Sequence, residues 1–113
     1  MSGSAPTLRD LLVSRLALVQ RLSLATAALQ RLQQARAGAE MDVQRCEISL
    51  GPEPQAEMAR DLLSPSLLEA SLLDARQRVE DSDRGLERCE DEIDDLESSL
   101  AEMDRQIETA ARA

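Results

Sequence analysis

Three carboxylates, Asp81, Asp83 and Glu92, fall at the first, third and twelfth places of a calcium-binding EF-hand loop, where oxygen ligands are required. The match breaks at its centre. The loop needs a ligand at its fifth place and glycine at its sixth, and the chain puts Gly85 and Leu86 there. Glu90, Asp91, Glu92, Asp94, Asp95 and Glu97 form a denser acidic cluster, but Cys89, Ile93 and Leu96 thread through it at helical spacing. It therefore reads as a solvated helix face and not as a cation site. Cys46 and Cys89 are too few for a disulfide scaffold and form no C-x-x-C pair, so they read as small buried hydrophobes kept reduced. No metal or cofactor is expected.

Several residue types are missing altogether. The 113 residues include no His, Lys, Phe, Tyr or Trp, and Arg supplies all 13 cations. Imidazole acid–base catalysis, a Ser-His-Asp triad, a Schiff-base lysine and a P-loop lysine are thus ruled out, as are aromatic base-stacking platforms. No catalytic residue is expected, and the chain reads as a non-enzyme. Its 22 acids against 13 arginines leave a net charge of −9, which repels nucleic acid and an anionic membrane alike. Apolar runs such as Leu11–Val13 are short, and the opening Met-Ser-Gly-Ser-Ala-Pro lacks the basic and apolar regions of a signal peptide. The expectation is a single soluble, cytoplasmic domain over residues 1–113.

Helical elements must position these residues. Thr7-Leu8-Arg9-Asp10 fits a capping box, so a helix begins there. Leu8, Arg15, Leu22, Leu29, Arg36, Val43 and Leu50 recur every seven residues, with Leu11, Leu18, Ala25, Leu32, Ala39 and Cys46 as the companion series. This is the a/d seam of a coiled coil. Leu12, Leu16, Val19 and Leu24 widen the apolar stripe, as if this helix touched two neighbours. Gly51-Pro52-Glu53-Pro54 cannot sit inside a helix, so the chain reverses there. Ser66 and Glu69 make a second capping-box match beside Pro65. The seam then resumes as Leu72, Val79, Leu86, Ile93, Leu100 and Ile107, with Leu68, Ala75, Ser82, Cys89, Leu96, Met103 and Ala110.

Asp81-Ser82-Asp83-Arg84-Gly85 has loop composition, and glycine costs about 1 kcal/mol inside a helix. The heptad nevertheless crosses it without a slip. With the wide stripe of the first helix, composition favours an all-α antiparallel three-helix bundle with coiled-coil-like heptad packing. Its helices would span about 7–50, about 55–81 (kinked near Pro65) and about 85–112. The alternative is a two-helix coiled-coil hairpin. Charge is segregated: residues 8–39 hold five arginines and one acid, and residues 80–108 hold thirteen acids and three arginines. Arg15 and Arg36, on the seam itself, are natural partners for the acidic helix, or else snorkel to the edge of the core.

The segment Leu68-Glu69-Ala70-Ser71-Leu72-Leu73-Asp74 resembles the second helix of the tubulin-binding cofactor A family, with its Leu-Glu-Ala-Ala-x-Leu-Asp pattern and a proline upstream, where Pro65 stands here. Leu18-Val19-Gln20-Arg21-Leu22 is similar to that family's Val-Val-Lys-Arg-Leu run. The family's tyrosine and Lys/Glu-rich continuation is replaced by Ser23-Leu24-Ala25-Thr26-Ala27-Ala28. The resemblance implies a three-helix tubulin chaperone that captures β-tubulin during folding and dimer assembly, without nucleotide or metal. It also implies a cytoplasmic, cytoskeleton-associated monomer or weak homodimer, with other tubulin-folding cofactors as further partners. Contacts would come from the charges flanking the matched segment, Glu69, Asp74, Arg76 and Arg78. Leu8–Leu16 has a passing likeness to the first helix of chorismate mutase, an enzyme family that relies on a lysine absent here. The rival from a different class is a coiled-coil scaffold or adaptor, such as a hairpin of a bacterial export apparatus. The two part on one feature: a closed bundle buries the wide N-terminal stripe, and an adaptor leaves it open for a partner.

Overall fold

The Thr7 hydroxyl accepts from the Asp10 backbone N–H at 3.1 Å, and the Asp10 carboxylate accepts from the Thr7 N–H at 3.2 Å. This reciprocal pair satisfies two donors that a helix start otherwise leaves open. From it α1 runs over Leu8–Leu50, ending where the sequence places the break at Gly51. The computed structural model describes residues 5–51 and 65–113. A second helix, α2, occupies Pro65–Arg112. Proline suits a first turn because its missing N–H would be unpaired there in any case. Ser66 consequently lies inside α2 and does not cap it, while the expected stretch 55–64 and the kink before Pro65 lie outside the described residues.

The two long helices pack together, and the described residues contain no strand. The described residues do not show a three-helix bundle: α2 passes through Asp81–Gly85 without a break, so the turn expected there does not form. The two-helix alternative fits better. Heptad register outweighs loop composition because Ser82 and Gly85 are buried on the seam side, and the two acids of the stretch find cations. Arg84 donates to Asp81 at 2.9 Å, and Arg36 of α1 donates to Asp83.

Contacts group the molecule into two compact units. One combines the described residues up to Leu29 with Arg88–Ala113, and the other lies within Gln30–Glu87. In the first unit Arg15 meets Asp104 at 2.7 Å, and the seam residues Leu11, Arg15, Leu18, Leu22, Ala25 and Leu29 are all buried or half-buried. So are Cys89, Ile93, Leu96, Leu100, Met103, Ile107 and Ala110 of α2. In the second unit Arg36 pairs with Asp83, Asp42 with Arg78 at 3.0 Å and Glu47 with Arg76 at 3.4 Å. Numbers that rise along α1 fall along α2, so the helices are antiparallel there. The seam of this unit buries the small residues Ala39, Ala75, Ser82 and Gly85 alongside Leu68. A Cβ on Gly85 would stand 3.1 Å from a Leu32 methyl.

Candidate interaction surface

The seam of α1 uses about half of its apolar side chains. On the other side of the helix Leu12, Val13, Leu16 and Leu24 remain 49%, 63%, 58% and 71% exposed. At 100° per residue, Leu12, Leu16, Val13 and Leu24 fall at 0°, 40°, 100° and 120°, one continuous arc. Thus the wide stripe expected from the sequence exists, and α2 does not cover it. Val13 belongs to it although the heptad comparison passes over it; placing each residue on a helical wheel would have found it. Val19, grouped with the stripe by sequence, is half-buried at its edge. This second face explains why α1 holds an 18-residue window of mean hydropathy 1.3 with at most two charges, of which only 11% is buried. By length and composition that window is apolar enough to cross a membrane, a property that the short apolar runs alone do not reveal.

Arg9 falls at 60°, within the arc, while Asp10 at 160° and Arg21 at 180° lie beyond its edge, Arg21 beside a groove lined also by Arg88, Asp91, Glu92 and Asp95. Neither Arg9 nor Arg21 forms an ion pair with a described residue, whereas Arg15 is bound to Asp104 and Asp10 is held in the capping box. The hydrogen bond and charge of Asp83 raise the Arg36 guanidinium above its ordinary pKa, with Glu40 adding to the effect at 2.7 Å. Both seam arginines therefore pair across the helices.

Three of the four charges expected near the matched segment, Asp74, Arg76 and Arg78, have internal partners. Arg78 is raised by its hydrogen bond to Asp42 and then by Asp74, each at 3.0 Å, and Arg76 reaches Glu47. Glu69 is exposed on α2. Asp74 and Arg78 line an open groove of about 570 Å³ with Asp42, Arg45 and Cys46. Leu68, Leu72 and Ala75 of the same stretch turn into the seam, and Leu73 stays 67% exposed.

The residues at EF-hand spacing are helical, so no loop gathers them. Asp81 instead accepts from Arg84 and from Gln77, which lowers its carboxyl below the usual range. Among the described residues no three His, Cys, Asp or Glu side chains converge on a position that could hold a metal ion. Cys46 and Cys89 are both free thiols and half-buried. No family model, no curated protein and no solved structure matches this chain.

Proposed function

We propose that the chain is a coiled-coil interaction module, a scaffold or adaptor of a larger assembly such as a bacterial export apparatus. It would act in the cytoplasm by recognition and not by catalysis. The observation that carries this reading is the open arc of Leu12, Val13, Leu16 and Leu24 on a helix whose opposite face is already sealed against α2. Contiguous exposed apolar surface on a helix marks an interaction site more often than isolated exposed residues do, and an amphipathic face of this kind docks against another helix or groove. A photo-crosslinking residue at Val13, introduced in cells that make the protein, should yield one dominant heteromeric adduct. The same probe at Glu97, on the exposed acidic side of α2, should not. Absence of an adduct at Val13 would sink the adaptor reading.

The second reading is the tubulin-folding cofactor, with Glu69, Asp74, Arg76 and Arg78 as contacts. Its support is the resemblance at Leu68–Asp74, together with the exposure of Leu73, Glu69 and Asp74 within that segment. Retention of β-tubulin on the immobilised chain at micromolar concentration, weakened by Glu69→Ala and Leu73→Gln, is the outcome this reading requires. Failure to retain β-tubulin removes it.

A further inference from the structure

Every large hydrophobic side chain exposed in the first unit lies on α1, and the α2 stretch Arg88–Ala113 exposes none. We propose that the arc pairs with the arc of a second copy of the chain, α1 packed antiparallel on α1. That pairing is the state a heteromeric partner has to displace, and only this consequence rests on the adaptor reading. The geometry follows from the arc itself. Leu12 at 0° and Leu24 at 120° form its edges, so its centre lies at 60°, and Leu18 stands midway between them along the helix. A two-fold axis at the level of Leu18 brings Leu12 of one copy to the level of Leu24 of the other, and Leu16 to the level of Gln20. Two-fold interfaces use one patch twice in this way.

The polar residues of the arc select the same occupant. Arg9 is the one charge inside it, and the two-fold sets it against Ala27, also at 60°, and not against its own copy. The two Arg9 positions then stand about 27 Å apart along the helices, well beyond a screening length of about 8 Å. Gln20, exposed at 80°, is the one amide inside the arc in this unit. A wholly aliphatic partner would strand that amide. The two-fold instead places the Gln20 of the second copy on the same side of the contact, about 6 Å away along the axis, and an amide both donates and accepts. Asp10 and Arg21 lie beyond the edge, so neither an acidic nor a basic occupant is preferred. Leu67 and Leu73, exposed beside Glu69 and Asp74 on α2, are another surface a copy could bring. That contact joins unlike patches, so it grows open chains unless a ring closes, and it gives Gln20 no mate.

Sedimentation velocity of the full chain at micromolar concentrations should give a monomer–dimer equilibrium. L12Q combined with L16Q should weaken it at least about tenfold while the far-ultraviolet circular dichroism is unchanged. Q20E alters an exposed residue on the side of α1 opposite the seam, so it leaves folding alone. It should weaken the dimer by a similar factor through repulsion across the two-fold, and added salt should relieve the loss. Orientation is read in a C46S and C89S background with one new cysteine per chain. A short bismaleimide should join R9C chains to A27C chains and should not join R9C chains to each other.

A chain that stays monomeric throughout overturns the proposal. So does a dimer that joins R9C to R9C, or one indifferent to Q20E, since neither has the antiparallel two-fold. A dimer dissolved by L67Q with L73Q and not by L12Q with L16Q assigns the contact to the α2 patch and also overturns it. A heteromeric adduct at Val13 in cells, with a purified chain that stays monomeric, leaves the adaptor reading standing and removes this one alone. A dimer of the expected kind without that adduct keeps the pairing of arcs and removes the adaptor reading.

Discussion

Arg15 and Arg36 occupy seam positions where a two-helix contact ordinarily takes Leu or Ile. Each is half-buried and ends on a carboxylate of α2, Asp104 or Asp83, in the same unit. An arginine fixed in this way specifies which α2 residue lies opposite, because slipping the register would strand the cation. Arg36→Gln should therefore lower the melting temperature, whereas Arg31→Gln, at an exposed residue without an ion pair among the described residues, should leave it unchanged; thermal circular dichroism decides. Acid acts at the same scale. Hydrogen bonds from Arg84 to Asp81 and from Arg105 to Glu102 lower both carboxyls, so folding favours their charged forms. That contribution is complete above the ordinary carboxylate range and is lost as pH falls through and below it. The melting-temperature difference between the wild type and Asp81→Asn, measurable at pH 7, should shrink steadily as pH falls through and below the ordinary carboxylate range. A difference that persisted there would place the effect of Asp81 outside its charge.

At the scale of the element, the continuity of α2 across Asp81–Gly85 is the main departure from the reading of local composition. Gly85 is penalised by helix propensity, but its bare backbone faces Leu32, whose two methyls would lie 3.1 Å and 3.2 Å from an added Cβ. Gly85→Ala alone should thus be nearly neutral, its propensity gain of about 1 kcal/mol offset by displacement of Leu32. In a Leu32→Ala background the same change should stabilise by about 1 kcal/mol. Urea unfolding of the four proteins in this cycle tests it, and an equal effect in both backgrounds would show that Leu32 plays no part. Leu96, 3% exposed, is the most deeply buried large side chain of its unit. Leu96→Ala should cost about 2–3 kcal/mol, toward the low end for core truncations because a seam open along both edges can close over the gap.

At the scale of the whole molecule, two helices provide a seam but no enclosing layer: among the described residues no large side chain is completely buried, and the arc of Leu12, Val13, Leu16 and Leu24 stays in solvent. A partner seated on that arc would add the missing cover. Such a partner, at about 100 times its dissociation constant, should raise the stability of the chain by about 2.7 kcal/mol, read as an increase in melting temperature that L12Q with L16Q abolishes. Much of the architecture is legible in the residues themselves. The capping box at Thr7–Asp10, the end of α1 before Gly51, and the seam from Leu11 to Ala110 follow from local hydrogen-bond chemistry and a seven-residue period, both of which are properties of the chain. The absence of His, Lys and aromatic residues likewise fixes a seam of aliphatic and small side chains. Other features depend on what lies opposite. Asp81–Gly85 is loop-like until Arg36 and Leu32 are brought against it, and the charges of Arg76 and Arg78 look free until the antiparallel register supplies Glu47 and Asp42. The width of the apolar stripe was determined by sequence, but whether α2 covers it was decided only by tertiary structure, because periodicity shows which residues share a face and only packing shows what that face meets.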